Sequence, residues 1–75
     1  MNAKTRKQLE KIGEQIMALQ TEITDNKYAE QEKFDNMPES LQSGAPGDKL
    51  QNTLDTLDAV GSALDEAYNE LQNIK

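Results

Sequence analysis

The second half of the chain carries apolar side chains at a regular seven-residue period. Seven positions, spaced alternately four and three residues apart, define the repeat: Leu50, Leu54, Leu57, Gly61, Leu64, Tyr68 and Leu71. This spacing is typical of a helix that packs lengthwise against other helices. A neighbouring file with the same period widens the apolar surface: Thr53, Val60, Ala67 and Ile74. The pattern predicts a packing helix whose apolar side is broader than one neighbouring helix can cover.

The first half of the chain also has helical periodicity. Five apolar residues are spaced three, four, three and four apart: Leu9, Ile12, Ile16, Leu19 and Ile23. Beyond Ile23 the pattern weakens, because Asn26 and Glu30 occupy the next two positions, and Phe34 returns to nearly the same side after three turns. We predict one long helix over residues 3–35 with this stripe as its apolar side.

Met17 and Tyr28 lie eleven residues apart and form a second, narrower file beside the stripe. Two interpretations are open. The pair either lies exposed as an anchor for a protein partner, since Met and aromatic side chains are common at binding surfaces, or it flanks the core of a dimer. The accessibility of Tyr28 in the native oligomer separates the two interpretations.

Residues 36–48 interrupt the helical pattern. Pro38 disfavours helical geometry at Met37, and Gly and Pro residues recur between positions 44 and 47. We predict a loop that joins two antiparallel helices. Within it, residues 38–42 are expected to form a short helical turn with Leu41 tucked against the end of the bundle.

Asp48 has the features of an N-cap for the second helix, which we predict over residues 49–73. Gln51 follows three residues later, in the position of a capping-box partner. Gly61, in the middle of this helix, is expected where another backbone approaches closely, with Gly13 on the first helix as its counterpart.

These elements predict an all-α protein: a single domain over residues 1–75 in which two long helices form an antiparallel helical hairpin. The antiparallel direction brings opposite charges together, because the first helix starts with basic residues and the second ends with acidic ones. The basic residues are Lys4, Arg6, Lys7 and Lys11, and the acidic residues are Asp65, Glu66 and Glu70.

A single hairpin of this composition has too little apolar material for a stable core. Hydrophobic residues make up 35% of the 75 residues, and no Cys is present to cross-link the chain. We predict that hairpins self-associate into a coiled-coil-like four-helix bundle, with a dimer as the default and a trimer of hairpins left open. Ten residues are expected to carry self-association: Leu50, Leu54, Leu57, Val60, Gly61, Leu64, Ala67, Tyr68, Leu71 and Ile74.

The sequence contains no recognisable catalytic apparatus. His and Cys are both missing, which removes the commonest general base, most nucleophile pairings and most transition-metal ligands. The Gly residues at 44 and 47 lack the spacing of a phosphate loop. We therefore expect a non-enzymatic protein with no cofactor and no metal. No leader-like segment or apolar span is visible, so we expect a cytoplasmic protein that does not enter membranes.

The formal net charge of -6 raises the question of an acidic binding surface. Asp55, Asp58 and Asp65 recur along the second helix and, with Met17 and Tyr28, are our candidate partner-binding residues. The aspartates either form a solvated face or imitate a nucleic-acid backbone and so block a nucleic-acid-binding protein. Binding of nucleic acid itself is not expected, because the basic start of the chain has no aromatic residue.

A further alternative is a sponge for a small anionic signal such as a cyclic nucleotide. It would gather cationic side chains at an oligomer interface: Lys4, Arg6, Lys7 and Lys27. A purely structural role is also open.

Residues 36–42, Asn-Met-Pro-Glu-Ser-Leu-Gln, are followed by Gly-Asp-Lys at 47–49 and an acidic Leu- and Ala-rich helix. This arrangement resembles a family of short, uncharacterised helical-hairpin proteins encoded by bacteriophages and mobile elements, which usually have charged residues where this chain has Ser43–Pro46. The resemblance implies a phage protein in the bacterial host cytoplasm. It further implies stoichiometric binding to a host protein complex, such as an anti-phage defence system, with an inhibitory or modulating effect.

Overall fold

The computed structural model describes residues 1–74 and contains three helices: α1 (Ala3–Asp35), α2 (Glu39–Gln42) and α3 (Ala45–Gln72). α1 and α3 run antiparallel, since Gly13 lies opposite Tyr68 and Lys27 lies opposite Asp58. The hairpin is a rod 58 Å long with a radius of gyration of 17.3 Å, whereas a compact chain of this length has about 11 Å. The predicted all-α helical hairpin is confirmed.

α1 has the predicted bounds because both of its ends are capped. The side chain of Asn2 accepts a hydrogen bond from the Thr5 backbone N–H at 2.8 Å, which satisfies one free donor of the first turn. At the other end the N–H of Asn36 donates to the carbonyl of Glu32 at 3.0 Å. Pro38 follows two residues later and cannot continue the helix.

The connection between the long helices is tight. α2 supplies the predicted short helical turn, and the side-chain amide of Gln42 donates to the carbonyl of Phe34 at 2.8 Å, which satisfies a free acceptor at the end of α1. Gly47 is buried against the backbone of Gln42, and a Cβ at position 47 would lie 1.9 Å from the Gln42 carbonyl oxygen. Leu41 is exposed rather than tucked against the hairpin end, because Gln42 and Gly47 make the close contacts there.

α3 begins four residues before the predicted start, and two predictions at this end are wrong. Asp48 is not the N-cap: Gly44 is, and the N–H of Asp48 donates to the Gly44 carbonyl at 3.0 Å as part of the first turn. Gln51 forms no capping box and instead donates its side-chain N–H to Asp55 at 3.2 Å. Pro46 is compatible with this earlier start, since proline lacks an N–H that the first helical turn would leave unpaired anyway.

The line along which α1 and α3 face each other, here called the seam, follows the predicted repeat on α3. All seven positions from Leu50 to Leu71 in that repeat are buried or half-buried. Leu54 is 3% exposed and is the one buried hydrophobic side chain within residues 1–74. The seam is therefore continuous but shallow.

On α1 the seam differs from the predicted stripe. Half-buried or buried positions on this helix are spaced four and three apart: Leu9, Gly13, Ile16, Gln20, Ile23, Lys27, Glu30 and Phe34. Ile12 and Leu19 are exposed, so the prediction that they pack in the seam is wrong. The reason is that the ring of Tyr68 covers Gly13, and that Phe34 continues this second repeat and not the first.

Gly61 and Gly13 are not counterparts of each other. A Cβ at Gly61 would lie 3.8 Å from a methyl carbon of Ile23, and one at Gly13 would lie 3.6 Å from the ring of Tyr68. Both distances are ordinary van der Waals contacts with side chains. No close backbone approach requires glycine at either position, in contrast to Gly47.

Two substitutions test this distinction. Gly61→Ala should raise the free energy of unfolding by about 0.5–1 kcal/mol, because alanine is the better helix former and its methyl group has room. Gly47→Ala should lower it by about 1–3 kcal/mol, because the methyl group would overlap the Gln42 backbone. Thermal and urea unfolding followed by circular dichroism, at one fixed protein concentration, measures both. Stability changes of the same sign would contradict the described connection.

Candidate interaction surface

The hairpin has two broad sides, and one of them is apolar. Four side chains in the files next to the seam define what we call the apolar face: Ile12, Leu19, Val60 and Ala67. Leu19 and Val60 line one groove together with Ile23 and Leu64 of the seam. Ile12 lies seven residues before Leu19, and Ala67 follows Val60 at the same period, so each pair stays on one side of its helix. Ile74 continues this period in the sequence, but it lies beyond the end of α3 and lines a hollow with Glu10 and Gln72.

The apolar face is open to solvent. Ile12, Leu19 and Val60 are between 38% and 48% exposed. The groove is also lined by two carboxylates, Glu22 and Asp25, and by Asn26. A row of large aliphatic side chains on one side of a rod is typical of a surface that packs against another protein surface.

The opposite side is polar, and we call it the polar face: Glu10, Met17, Thr24, Asp58 and Asp65. Thr24, Asp58 and Asp65 line one hollow, and Glu10 and Met17 line another beside Tyr68. The ammonium group of Lys27 forms an ion pair with Asp58 between the two helices. Both sides of the hairpin thus carry carboxylates, and the large exposed aliphatic side chains distinguish the apolar face from the polar face.

Met17 and Tyr28 are both accessible in the hairpin, and Tyr28 is 72% exposed. They stand eleven residues apart on one continuous helix, which separates them by about 16 Å. The two side chains are therefore separate contacts along the rod and do not form one patch.

The three candidate aspartates are exposed, and two of them have partners. Asp55 accepts a hydrogen bond from Gln51, and Asp58 pairs with Lys27. Asp65 lies in the same hollow as Asp58. The three carboxylates thus lie on the surface, as both a protein-binding face and an imitation of a nucleic-acid backbone would require.

The ten residues predicted to carry self-association divide into three groups. Seven form the seam with α1, Val60 and Ala67 are exposed on the apolar face, and Ile74 is exposed beyond the end of α3. Ile12 and Leu19 belong to this face although the sequence analysis assigned them to the seam. On α1, the repeat that contains Gly13 continues to Phe34, and the repeat that contains Ile12 and Leu19 does not. This continuation is the sequence signal that places Ile12 and Leu19 outside the seam.

The start of α1 and the end of α3 lie side by side at the open end of the hairpin, but the structure of residues 1–74 contains no ion pair between them. Arg6 and Leu9 line a hollow with Leu71 and Ile74, so the basic start of α1 does lie beside the end of α3. Within residues 1–74 the ion pairs are Lys27 with Asp58 and Lys33 with Glu30. The charge blocks therefore contribute only a general attraction at the open end.

Two further properties concern ions and membranes. Over residues 1–74, no three carboxylate, His or Cys side chains are grouped so that they could hold a metal ion. In the same part of the chain, neither long helix has an apolar stretch that could cross a bilayer.

Comparison of the chain with protein-family models, with curated protein sequences and with solved structures finds no match. The resemblance of residues 36–42 to phage-encoded hairpin proteins stays a prediction.

The ion pair on the polar face should contribute little to stability. Lys27 and Asp58 are both partly exposed, with side chains 42% and 64% accessible. A double-mutant cycle with Lys27→Ala and Asp58→Ala should give a coupling energy of about 1 kcal/mol or less, which declines as salt is added. Urea unfolding at low and high salt measures it. A larger coupling that salt leaves unchanged would show a desolvated pair instead.

Proposed function

We propose that this chain is a non-enzymatic interaction protein encoded by a phage or mobile element. It acts in the host cytoplasm as a self-associated hairpin, by default a dimer packed as a four-helix bundle, and it binds and modulates a host protein complex. One observation carries the proposal: the hairpin exposes a row of aliphatic side chains although it buries a single hydrophobic side chain, Leu54, within residues 1–74.

The two faces are suited to different kinds of contact. Aliphatic side chains that are left in water by the hairpin gain free energy when another protein surface covers them, at about 25 cal/mol per Å². The polar face has carboxylates for orientation and Met17 as an accessible flexible side chain, and Tyr28 stands out further along α1. Exposed Tyr and Met side chains are common contributors to binding energy at protein interfaces.

The resemblance of the turn at residues 36–42 adds the biological context. Small phage proteins that work by occupying a host complex need a folded surface and no active site. A rod 58 Å long provides such a surface on two sides. An anti-phage defence complex is the class of target that this context favours.

A pull-down with matched variants tests the proposal. The tagged wild-type chain should capture a host protein from a bacterial lysate, and Tyr28→Ala or Met17→Ala should weaken capture by about tenfold or more, because truncation of a central aromatic or Met contact removes much of the binding energy. Thr21→Ala is the control, since Thr21 is exposed and lies one heptad before Tyr28 on α1.

Two outcomes would count against the proposal. Wild-type bait that retrieves only copies of itself contradicts host binding. Capture that survives both variants contradicts the role of Met17 and Tyr28.

A second candidate, an acidic imitation of nucleic acid, is supported by the exposure of Asp55, Asp58 and Asp65. It predicts a partner that binds nucleic acid and that dissociates from the hairpin as salt rises. Replacement of all three aspartates by Asn should abolish that binding, and the same replacements in a non-electrostatic complex should not. Binding titrations at two salt concentrations decide between the candidates.

The anionic-signal alternative receives less support. Lys27 forms an ion pair with Asp58 and stands about 30 Å from Lys7 along the same helix. The cationic side chains that would hold a nucleotide therefore do not gather within one hairpin. Calorimetric titration with cyclic nucleotides, which should produce no binding heat, is the corresponding check.

A further inference from the structure

We infer that the groove beside Leu19 and Val60 receives a basic amphipathic helix of the host partner. The aliphatic stripe of that helix packs between α1 and α3, and its Lys or Arg side chains pair with Glu22 and Asp25. The inference rests on the proposed function, because it names the chemistry that the host protein brings to one surface of the hairpin. Two observations carry it: the lining of the groove and the distribution of charge around it.

Both long helices contribute aliphatic side chains to the groove: Leu19 and Ile23 from α1, and Val60 and Leu64 from α3. Its volume of about 580 Å³ exceeds the volumes of the two hollows on the polar side, which are about 200 and 380 Å³. An amphipathic helix binds to such a groove by inserting apolar side chains from positions i, i+3, i+4 and i+7. The groove therefore has the lining and the room for the apolar stripe of one further helix.

The aliphatic row extends beyond the groove in one direction. Ile12 lies one heptad before Leu19, and Ala67 lies one heptad after Val60. Because α1 and α3 run antiparallel, both residues lie toward the open end of the hairpin. From Ile12 to Asn26, which also lines the groove, α1 rises by about 21 Å. This length accommodates about four turns of a bound helix.

The carboxylates in the groove have no cation of their own. Glu22 and Asp25 both line it, and within residues 1–74 neither of them forms an ion pair. Lys27 is close in the sequence, but its ammonium group pairs with Asp58 on the polar face. Like charges on neighbouring turns of one helix repel each other. A cation from outside the hairpin would relieve this repulsion.

The segments that form the groove contain no basic residue. The sequence has no Lys or Arg from position 12 to position 26 or from position 50 to position 74, and the whole chain has a formal charge of -6. A second copy docked with its own groove at this level would add carboxylates, whereas a segment with Lys or Arg would neutralise them. Charge complementarity therefore selects a basic helix as the occupant.

Charge is not evenly distributed along the aliphatic row. Glu22 and Asp25 lie toward the connection between the two long helices, and Ile12 and Ala67 lie toward the open end. A helix bound along the row therefore places its basic residues at one end of its aliphatic stripe.

A synthetic peptide tests the inference on the whole chain. The probe has about 18 residues, enough for a helix to form, with leucines at heptad spacing and lysines at one end of the leucine stripe. A matched peptide has glutamate in place of each lysine. Fluorescence anisotropy at low salt should show saturable binding of the lysine peptide to the wild-type chain. The glutamate peptide should bind about tenfold more weakly or less.

A leucine pair assigns the binding to the groove. Leu19→Ala should raise the dissociation constant of the lysine peptide by about tenfold, because it removes an aliphatic contact from the groove. Leu41→Ala is the matched control, since Leu41 lies at the connection and is 43% exposed, against 48% for Leu19. This control should leave the dissociation constant within about twofold.

A pair of double variants tests the charges without removing any apolar side chain. Glu22→Gln combined with Asp25→Asn should raise the dissociation constant of the lysine peptide by about fivefold. Glu32→Gln combined with Glu39→Gln removes the same total charge outside the groove and should leave it within about twofold. All four carboxylates are exposed, so these variants should keep the helical signal in circular dichroism.

Four outcomes would overturn the inference. The wild-type chain fails to bind the lysine peptide, or it binds both peptides equally. The control variants weaken binding as much as the groove variants, which would place the peptide on another surface. Binding is lost as the concentration of the chain rises, which would show that a second copy occupies the groove.

The pull-down and the peptide titration separate this inference from the proposed function. A chain that binds the peptide with the expected pattern but captures no host protein would support the chemistry of the groove and contradict the proposed function. A chain that captures a host protein but does not bind the lysine peptide would contradict the inference alone.

Discussion

Contact between α1 and α3 is confined to one row of side chains from each helix, and this narrow contact determines how much of each helix stays exposed to solvent. A seam of alternating four and three residue steps aligns two helices over their full length but shields little of either helix from water. Leu54 alone reaches full burial among the hydrophobic residues of positions 1–74. The seam thus fixes the register of the two helices, but it leaves the sides of both helices exposed to solvent.

Polar residues within the seam reduce the apolar area further. Gln20 and Lys27 occupy positions on α1 where a longer hydrophobic core would have Leu or Ile. The side-chain oxygen of Gln20 is buried without a hydrogen-bond partner, and Lys27 is held at the edge by Asp58. Such groups add little to the free energy of folding, because a buried polar atom costs free energy when it lacks a partner and a partly exposed ion pair is worth about 1 kcal/mol or less.

In the short connection, local sequence rules correctly predict the end of α1 but not the start of α3. Pro38 correctly indicates the end of α1, because the effect of proline on the backbone acts within a residue or two. The start of α3 was misplaced because Asp48 has the chemistry of an N-cap and Gly44 has no side chain to signal one. The deciding contact is between Gly47 and the backbone of Gln42, and it exists only once α2 has turned the chain.

Periodicity in the amino-acid sequence was sufficient for the helical hairpin and for the seven seam positions of α3, because apolar spacing constrains a helix face directly. The end of α1 followed from Pro38. Only the tertiary structure decided which of two neighbouring files on α1 faces α3. Leu9, Ile16 and Ile23 belong to both, and the choice between Ile12 and Gly13 as their companion depends on the ring of Tyr68, which lies 55 positions away in the chain. The apolar face follows from that choice, since Ile12 and Leu19 are exposed when Gly13 faces α3, and Leu19 then shares a groove with Val60.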